Sequence, residues 1–255
     1  MKLSKFYRVH TWYKNMAMAA IGILSAPVLV GFLQVFLIQL HSFSMNDYYD
    51  HKMWGEDTYV GKLVEDGWSM RTLLFLMLAP LALAVTMFPI SKWATLTLLL
   101  YSGLFYLYQG PARLKSHWAL SIPLNAVPLG WVVYAAPFLV IYPAVTPLFI
   151  FFSTLFTFYM AFFEVAHQIE HQNEETDVYS VVDEFGVKKS LIIGVLLQAI
   201  PVITGLALSA TGKINTLFIA PTLVFTAFRT YRLYSIGPNA DELKVVRRSW
   251  HKFYT

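Results

Sequence analysis

Asp47 and Asp50 stand three residues apart in the run Asn46-Asp47-Tyr48-Tyr49-Asp50, where an apolar stretch that begins at Val28 runs out. On a helix that spacing puts both carboxylates on one face, with the Asn46 amide oxygen beside them. A second polar cluster ends another apolar stretch: Glu164, His167, Glu170, His171, Glu174, Glu175 and Asp177. Glu164, Gln168, His171 and Glu175 fall on one helical stripe, and Glu170, Glu174 and Asp177 on its neighbour. Carboxylates are expensive beside hydrocarbon and are seldom placed there without a partner. Two oxygen-rich clusters at helix ends suit a hard cation such as Mg²⁺. That ion takes only a few protein oxygens and completes its shell with water and substrate phosphate. Each cluster has a plainer reading as a solvated acidic helix end. The histidines, four apart, also admit a transition metal, although the carboxylates around them favour the harder ion.

Between the clusters comes Tyr108-Gln109-Gly110-Pro111-Ala112-Arg113-Leu114-Lys115. Acids, Mg²⁺ and Arg or Lys together are what holds a diphosphate. Any one of these cations taken alone is also what ordinary membrane topology places at a helix end.

The elements that must position these residues are long and greasy. The chain has 255 residues, of which 13% are charged. A soluble domain carries about twice that fraction. The mean hydropathy is +0.53. Such apolar runs read as transmembrane helices of about 20 residues. We expect about eight spans, near residues 5–24, 28–50, 70–88, 91–108, 118–142, 145–171, 190–209 and 215–234. The fifth is expected to be broken by Pro123, Pro128 and Pro137. Polar loops are expected at 51–69 and 173–189. One long first helix in place of the first two spans is the competing reading. Met1 to Lys14 is basic and lacks a small-residue cleavage site, which predicts a retained first helix. The tail from Gly237 to Thr255 is too polar to span and fits a surface helix.

Eight spans put both long polar loops on one side, with nearly all Lys and Arg; only Lys92 and Lys213 fall opposite. That asymmetry predicts a cytoplasmic location for the crowded side. The absence of cysteine excludes disulfides and thiolate metal sites. The net charge of +4 is spread among loops, which speaks for a membrane surface and against nucleic acid.

At these residues the chain resembles the UbiA superfamily of intramembrane prenyltransferases. Asn46, Asp47 and Asp50 match the family's Asn-Asp-x-x-Asp-x-x-x-Asp signature at the end of the second span. The last aspartate is replaced by Trp54, with Glu56 or Asp57 as substitutes after a small insertion. Tyr108, Pro111, Arg113 and Lys115 match the family's Tyr-Ser-x-Pro-x-Arg-x-Lys loop. His171 and Glu175 take the places of the Asp-x-x-x-Asp at the end of the sixth span; a shifted register would use Glu170 and Glu174. Lys62 sits where the family carries a basic residue. Two other departures are the lack of a ninth span and a histidine at a carboxylate position. The segment Arg8 to Asn15 is similar to the branch that transfers phosphoribose to a polyprenyl phosphate.

The resemblance implies an all-α, polytopic membrane bundle around a central cavity, with a prenyltransferase-like domain at 1–236 and a polar tail at 237–255. It implies transfer of an isoprenyl group from a prenyl diphosphate to a lipophilic acceptor, a quinone precursor, lipid or carotenoid among them, with Mg²⁺ as cofactor. The metal would rest on Asn46, Asp47, Asp50, Glu174 and Glu175. Lys62, Arg113 and Lys115 would hold the diphosphate. Asp50, His171 and Glu175 would carry the chemistry. A terpene cyclase and a phosphoribosyltransferase are the enzymatic alternatives. A cation-coupled transporter is the non-enzymatic one, although transporters carry their acids near the midplane.

Overall fold

In the computed structural model the described residues are 28–86, 88–89, 91–171 and 179–236. Among them the chain is helical, apart from one isolated bridge between His117 and Tyr179. The expected first span, the Arg8–Asn15 segment and the tail lie outside the described residues.

Helix α1 (Val28–Trp54) carries the first acidic motif into its last turns. The loop expected after it contains a short helix, α2 (Tyr59–Glu65), started by the Thr58 side chain accepting from the Gly61 amide. Helices α3 (Met70–Val85) and α4 (Lys92–Gln109) follow. A loop with one 3-10 turn (Leu114–Ser116) leads to α5 (Trp118–Ala126). The fifth span is not broken as expected: Pro123 lies inside α5, Pro137 inside the helix that continues it, and Pro128 does not end the run either. A π-helical segment (Val127–Val132) absorbs Pro128, and the path continues as α6 (Val133–Ile141). A π turn is a usual way for a helix to accommodate a proline. Helices α7 (Pro147–His171), α8 (Val181–Ala210) and α9 (Ile219–Ile236) complete the described fold.

The second polar loop is shorter than expected, because Val181 to Lys189 belongs to α8. Ser180 and Asp183 form a capping box: the serine hydroxyl accepts from the Asp183 amide, and Asp183 accepts from the Ser180 amide at 2.8 Å. Such a box satisfies two donors that a helix start leaves orphaned. The rod bends at Gly186, whose φ of 75° and ψ of 160° suit only glycine. Ser190 then donates to the Gly186 carbonyl at 2.9 Å and to that of Val181 at 3.1 Å.

Among the described residues, three helical stretches are long and apolar enough to cross a membrane: Trp118–Val140, Pro147–Glu170 and Val181–Ala210. Large apolar side chains such as Phe75, Leu196, Ile203 and Val224 face outward, as a lipid contact requires. Interior packing relies on close approach and on polar contacts between helices. His41 on α1 reaches the Met77 carbonyl on α3 through Nδ1 at 2.9 Å, and Ser102 on α4 through Nε2 at 2.8 Å. The carbonyl can only accept, so Nδ1 carries the proton and Ser102 donates to Nε2.

Gly130, in the π segment, lies directly on α7. A Cβ there would press on the Phe156 carbonyl oxygen and stand 2.6 Å from the Thr157 Cα. Both neighbours are backbone and cannot swing aside. Gly130→Ala is expected to cost about 1–3 kcal/mol. Thermal unfolding in detergent would show the loss as a lower midpoint.

Candidate active site

The last turns of α1 deliver Asp47 and Asp50, each only 4% exposed. Asn46 donates from Nδ2 to Asp47 Oδ1 at 3.2 Å, and Thr58 donates to the Asp47 carbonyl at 3.2 Å. Asp50 faces the loop after α4: its Oδ1 lies 2.8 Å from Lys115 Nζ. Arg113, in the same loop, is buried and sends Nη2 to Glu56 Oε1 at 2.7 Å. Its guanidinium carbon sits 4.3 Å from the centroid of the Trp54 ring. Thus Lys115 meets Asp50 on α1, and Arg113 meets Glu56 in the loop that follows it.

Arg113 has φ 42° and ψ 47°, the left-handed region that long side chains avoid. That conformation costs about 1–2 kcal/mol. It persists here because the loop is tied down: Ser116 gives the Arg113 carbonyl both its hydroxyl, at 2.6 Å, and its amide, at 3.0 Å.

On the other flank, α7 contributes Glu164, buried among donors. Tyr108 at the end of α4 donates to Glu164 Oε1 at 3.1 Å, and Gln168 donates to the same oxygen at 2.9 Å. Asn125 on α5 donates to Oε2. Gln168 also donates to Ser121 at 2.8 Å and accepts from the Val181 amide at 3.0 Å. The expected stripe of Glu164 and Gln168 is therefore real, and it binds α4, α5 and the start of α8 to α7. The His117–Tyr179 bridge draws the start of α5 to the same entry. Tyr179 donates to Glu184 at 2.8 Å, and that bond holds its hydroxyl above the usual tyrosine range.

The remaining expected residues sort as follows. Lys62 stands on α2, exposed, 3.8 Å from Asp57. Glu56 and Asp57, the expected substitutes for the missing aspartate, are paired with Arg113 and Lys62. Glu170 is buried near the end of α7. The backbone of His171 closes α7, but its side chain lies outside the description, as do Glu174, Glu175 and Asp177 in full. The expected meeting of Asp50 with Glu175 therefore falls outside the described residues. Among the described residues no three His, Asp or Glu gather closely enough to hold a metal. The donor set on α1 nevertheless suits a hard cation, being an amide oxygen and two carboxylates, and Asp50 already holds a positive charge in Lys115. Asn125, Ser121 and the contact of Trp54 with Arg113 were not anticipated from the sequence.

The sequence profile of the UbiA prenyltransferase family matches residues 9–252. The chain belongs to that family. Its fold is shared with a UbiA homolog from Archaeoglobus fulgidus, at a TM-score of 0.78 and 20% identity over 94% of this chain and 89% of that one. A UbiA homolog from Archaeoglobus fulgidus bound to DMAPP and Mg²⁺ gives a TM-score of 0.75, at 20% identity over 91% and 88%. A digeranylgeranylglyceryl phosphate synthase gives 0.76, at 16% identity over 98% and 92%. Comparison with curated proteins yields no match. As a UbiA chain with helices of this length and apolarity, the protein is an integral membrane protein.

The end of α1 meets the loop after α4 through Asp50 and Lys115, and the end of α7 meets α5 and the start of α8 through Gln168. Lys92 opens α4 and Lys213 follows α8. The two outlying lysines thus lie at the ends of their helices away from the Arg113 loop and the Ser180 cap.

Proposed function

We propose that this chain is a Mg²⁺-dependent prenyltransferase that moves an isoprenyl group from a prenyl diphosphate to a lipophilic acceptor, with its site on the cytoplasmic side. The observation that carries the reading is the pairing at the end of α1. Asp50 with Lys115, and Glu56 with Arg113, are two acid–cation pairs, one built on a buried carboxylate and the other on a buried guanidinium, which suit a charged head group. Fold neighbours carry DMAPP and Mg²⁺, or GPP and Mg²⁺, which supports the same substrate class here.

In this reading Asn46, Asp47, Asp50, Glu174 and Glu175 would hold the metal. Bound Mg²⁺ would supply the charge that makes diphosphate a leaving group. Arg113 and Lys115 bind the diphosphate oxygens and meet the charge that grows as the allylic C–O bond breaks. Lys62, on its flexible stem, adds to the field at the mouth. The rings of Tyr101, Phe105 and Tyr108 follow one another along α4, with Tyr101 and Phe105 stacked at 5.2 Å and the Tyr108 hydroxyl on Glu164. Ring faces of this kind stabilise an allylic cation and exclude water that would capture it. The acceptor attacks the allylic carbon and loses a proton, for which His171 or Glu175 is the base.

The test is purified protein in lipid with radiolabelled geranylgeranyl or farnesyl diphosphate and a panel of lipophilic acceptors. Diphosphate release that needs both Mg²⁺ and an acceptor is the expected result. Release without an acceptor would make the protein a cyclase, and no release with any of them would remove the prenyltransferase reading.

A further inference from the structure

We infer that Trp54 is a positioning residue for Arg113, setting the guanidinium to receive the diphosphate; the inference rests on the prenyl-diphosphate reading above. At this position the family signature has an aspartate, a metal-binding type of side chain. A tryptophan cannot hold a hard cation. It can hold an organic one: its ring faces the Arg113 guanidinium at 4.3 Å, well within the range of a cation–π contact.

Three observations make the contact more than a chance surface stack. First, Arg113 is held on two sides. The ring covers its face, and Glu56 takes Nη2 at 2.7 Å. Both partners come from the same short stretch after Asp50. Glu56 is brought back by the bend at Gly55, where the Gly55 amide bonds the His51 carbonyl at 3.1 Å and the Glu56 amide bonds the Asp50 carbonyl at 3.1 Å. Second, Arg113 accepts a left-handed backbone to reach this place. Such strain persists only where the surroundings over-determine the geometry. Third, Trp54 remains partly exposed although Arg113 is buried. The ring therefore covers the outer side of the guanidinium. A diphosphate arriving at Lys115 would meet a guanidinium whose orientation is already fixed. Affinity gained in this way comes from preorganisation rather than from an added contact. One carboxylate of the family's metal site is thus exchanged for a firmer grip by arginine.

The experiment is titration of the full-length protein in nanodiscs with inorganic pyrophosphate and Mg²⁺, followed by calorimetry and by tryptophan fluorescence. Wild type should bind, with a fluorescence change that Trp54→Phe alters and Trp93→Phe leaves intact. Trp54→Ala should weaken pyrophosphate binding about tenfold, the size of a partly desolvated cation–π contact. It should raise KM for a prenyl diphosphate by a similar factor with kcat nearly unchanged, and Trp54→Phe should restore most of the loss. In an Arg113→Ala background, Trp54→Ala should change nothing further, since its effect passes through the guanidinium. Equal affinities for wild type and Trp54→Ala, or additive losses in the double variant, would overturn the inference and leave the prenyltransferase reading standing. Failure of wild type both to bind pyrophosphate and to release it from a prenyl diphosphate would remove both. Should Trp54→Ala not fold, the fluorescence of wild type against Trp54→Phe decides: no difference on titration refutes the contact's role.

Discussion

Asp50→Ala is expected to abolish diphosphate release while the protein stays folded. The carboxylate is 4% exposed and its Oδ1 is 2.8 Å from the Lys115 ammonium. Losing it removes one proposed metal ligand and frees Lys115 from the place where it would meet the leaving group. Removal of a single electrostatic element of this kind costs about 10²–10³ in rate, and loss of metal would deepen that. Folding should survive because Asp50 sits in the last turns of α1, and Lys115 can turn its head towards water on a flexible stem. Release of labelled diphosphate, measured beside size-exclusion behaviour in detergent, separates the two effects. Turnover equal to wild type would take Asp50 out of the mechanism.

That prediction rests on residues that could be read from the sequence alone. Asn46, Asp47 and Asp50 announce themselves because a carboxylate pair at helical spacing interrupts an apolar run. Arg113 and Lys115 follow from charge and from the turn residues Gly110 and Pro111. Helix positions were legible for the same reason, since long apolar runs bounded by charge read as helices. The start of α8 was not recovered. Asp183, Glu184, Lys188 and Lys189 are polar enough to read as loop, yet Ser180 followed by Asp183 is a capping signal that could have placed the helix start. Pro128 misled in the other direction, because a π turn can carry a proline without ending the helix.

The long-range partners divide in an instructive way. Ser121 and Asn125 are four apart in the otherwise apolar α5, and they face Gln168 and Glu164, four apart in α7. Two polar pairs at matching spacing on apolar helices are a sign of antiparallel neighbours, so this ladder was available in principle. Trp54 against Arg113 was not, because an aromatic ring at a membrane interface has an ordinary reading as a belt residue. Only the fold brings the guanidinium to it.

The Glu164 ladder yields the second large effect. Glu164→Ala would leave the Tyr108 hydroxyl and the amides of Asn125 and Gln168 without the acceptor they share. A buried donor left unsatisfied costs about 1–3 kcal/mol, so the loss here should reach about 3 kcal/mol or more. The midpoint of thermal unfolding should fall accordingly. Glu164→Gln should lose less, since one oxygen still accepts while the new amide opposes the donors. The damage should also travel. Gln168 holds the Val181 amide at 3.0 Å, and Val181 begins the helix whose entry follows the second acid cluster. Hydrogen exchange at that amide should therefore quicken in Glu164→Ala and less in Glu164→Gln. If exchange at Val181 is unmoved while stability falls, Glu164 braces the bundle without reaching the entry to α8. If neither moves, the donors find other acceptors and the ladder is not what joins these helices.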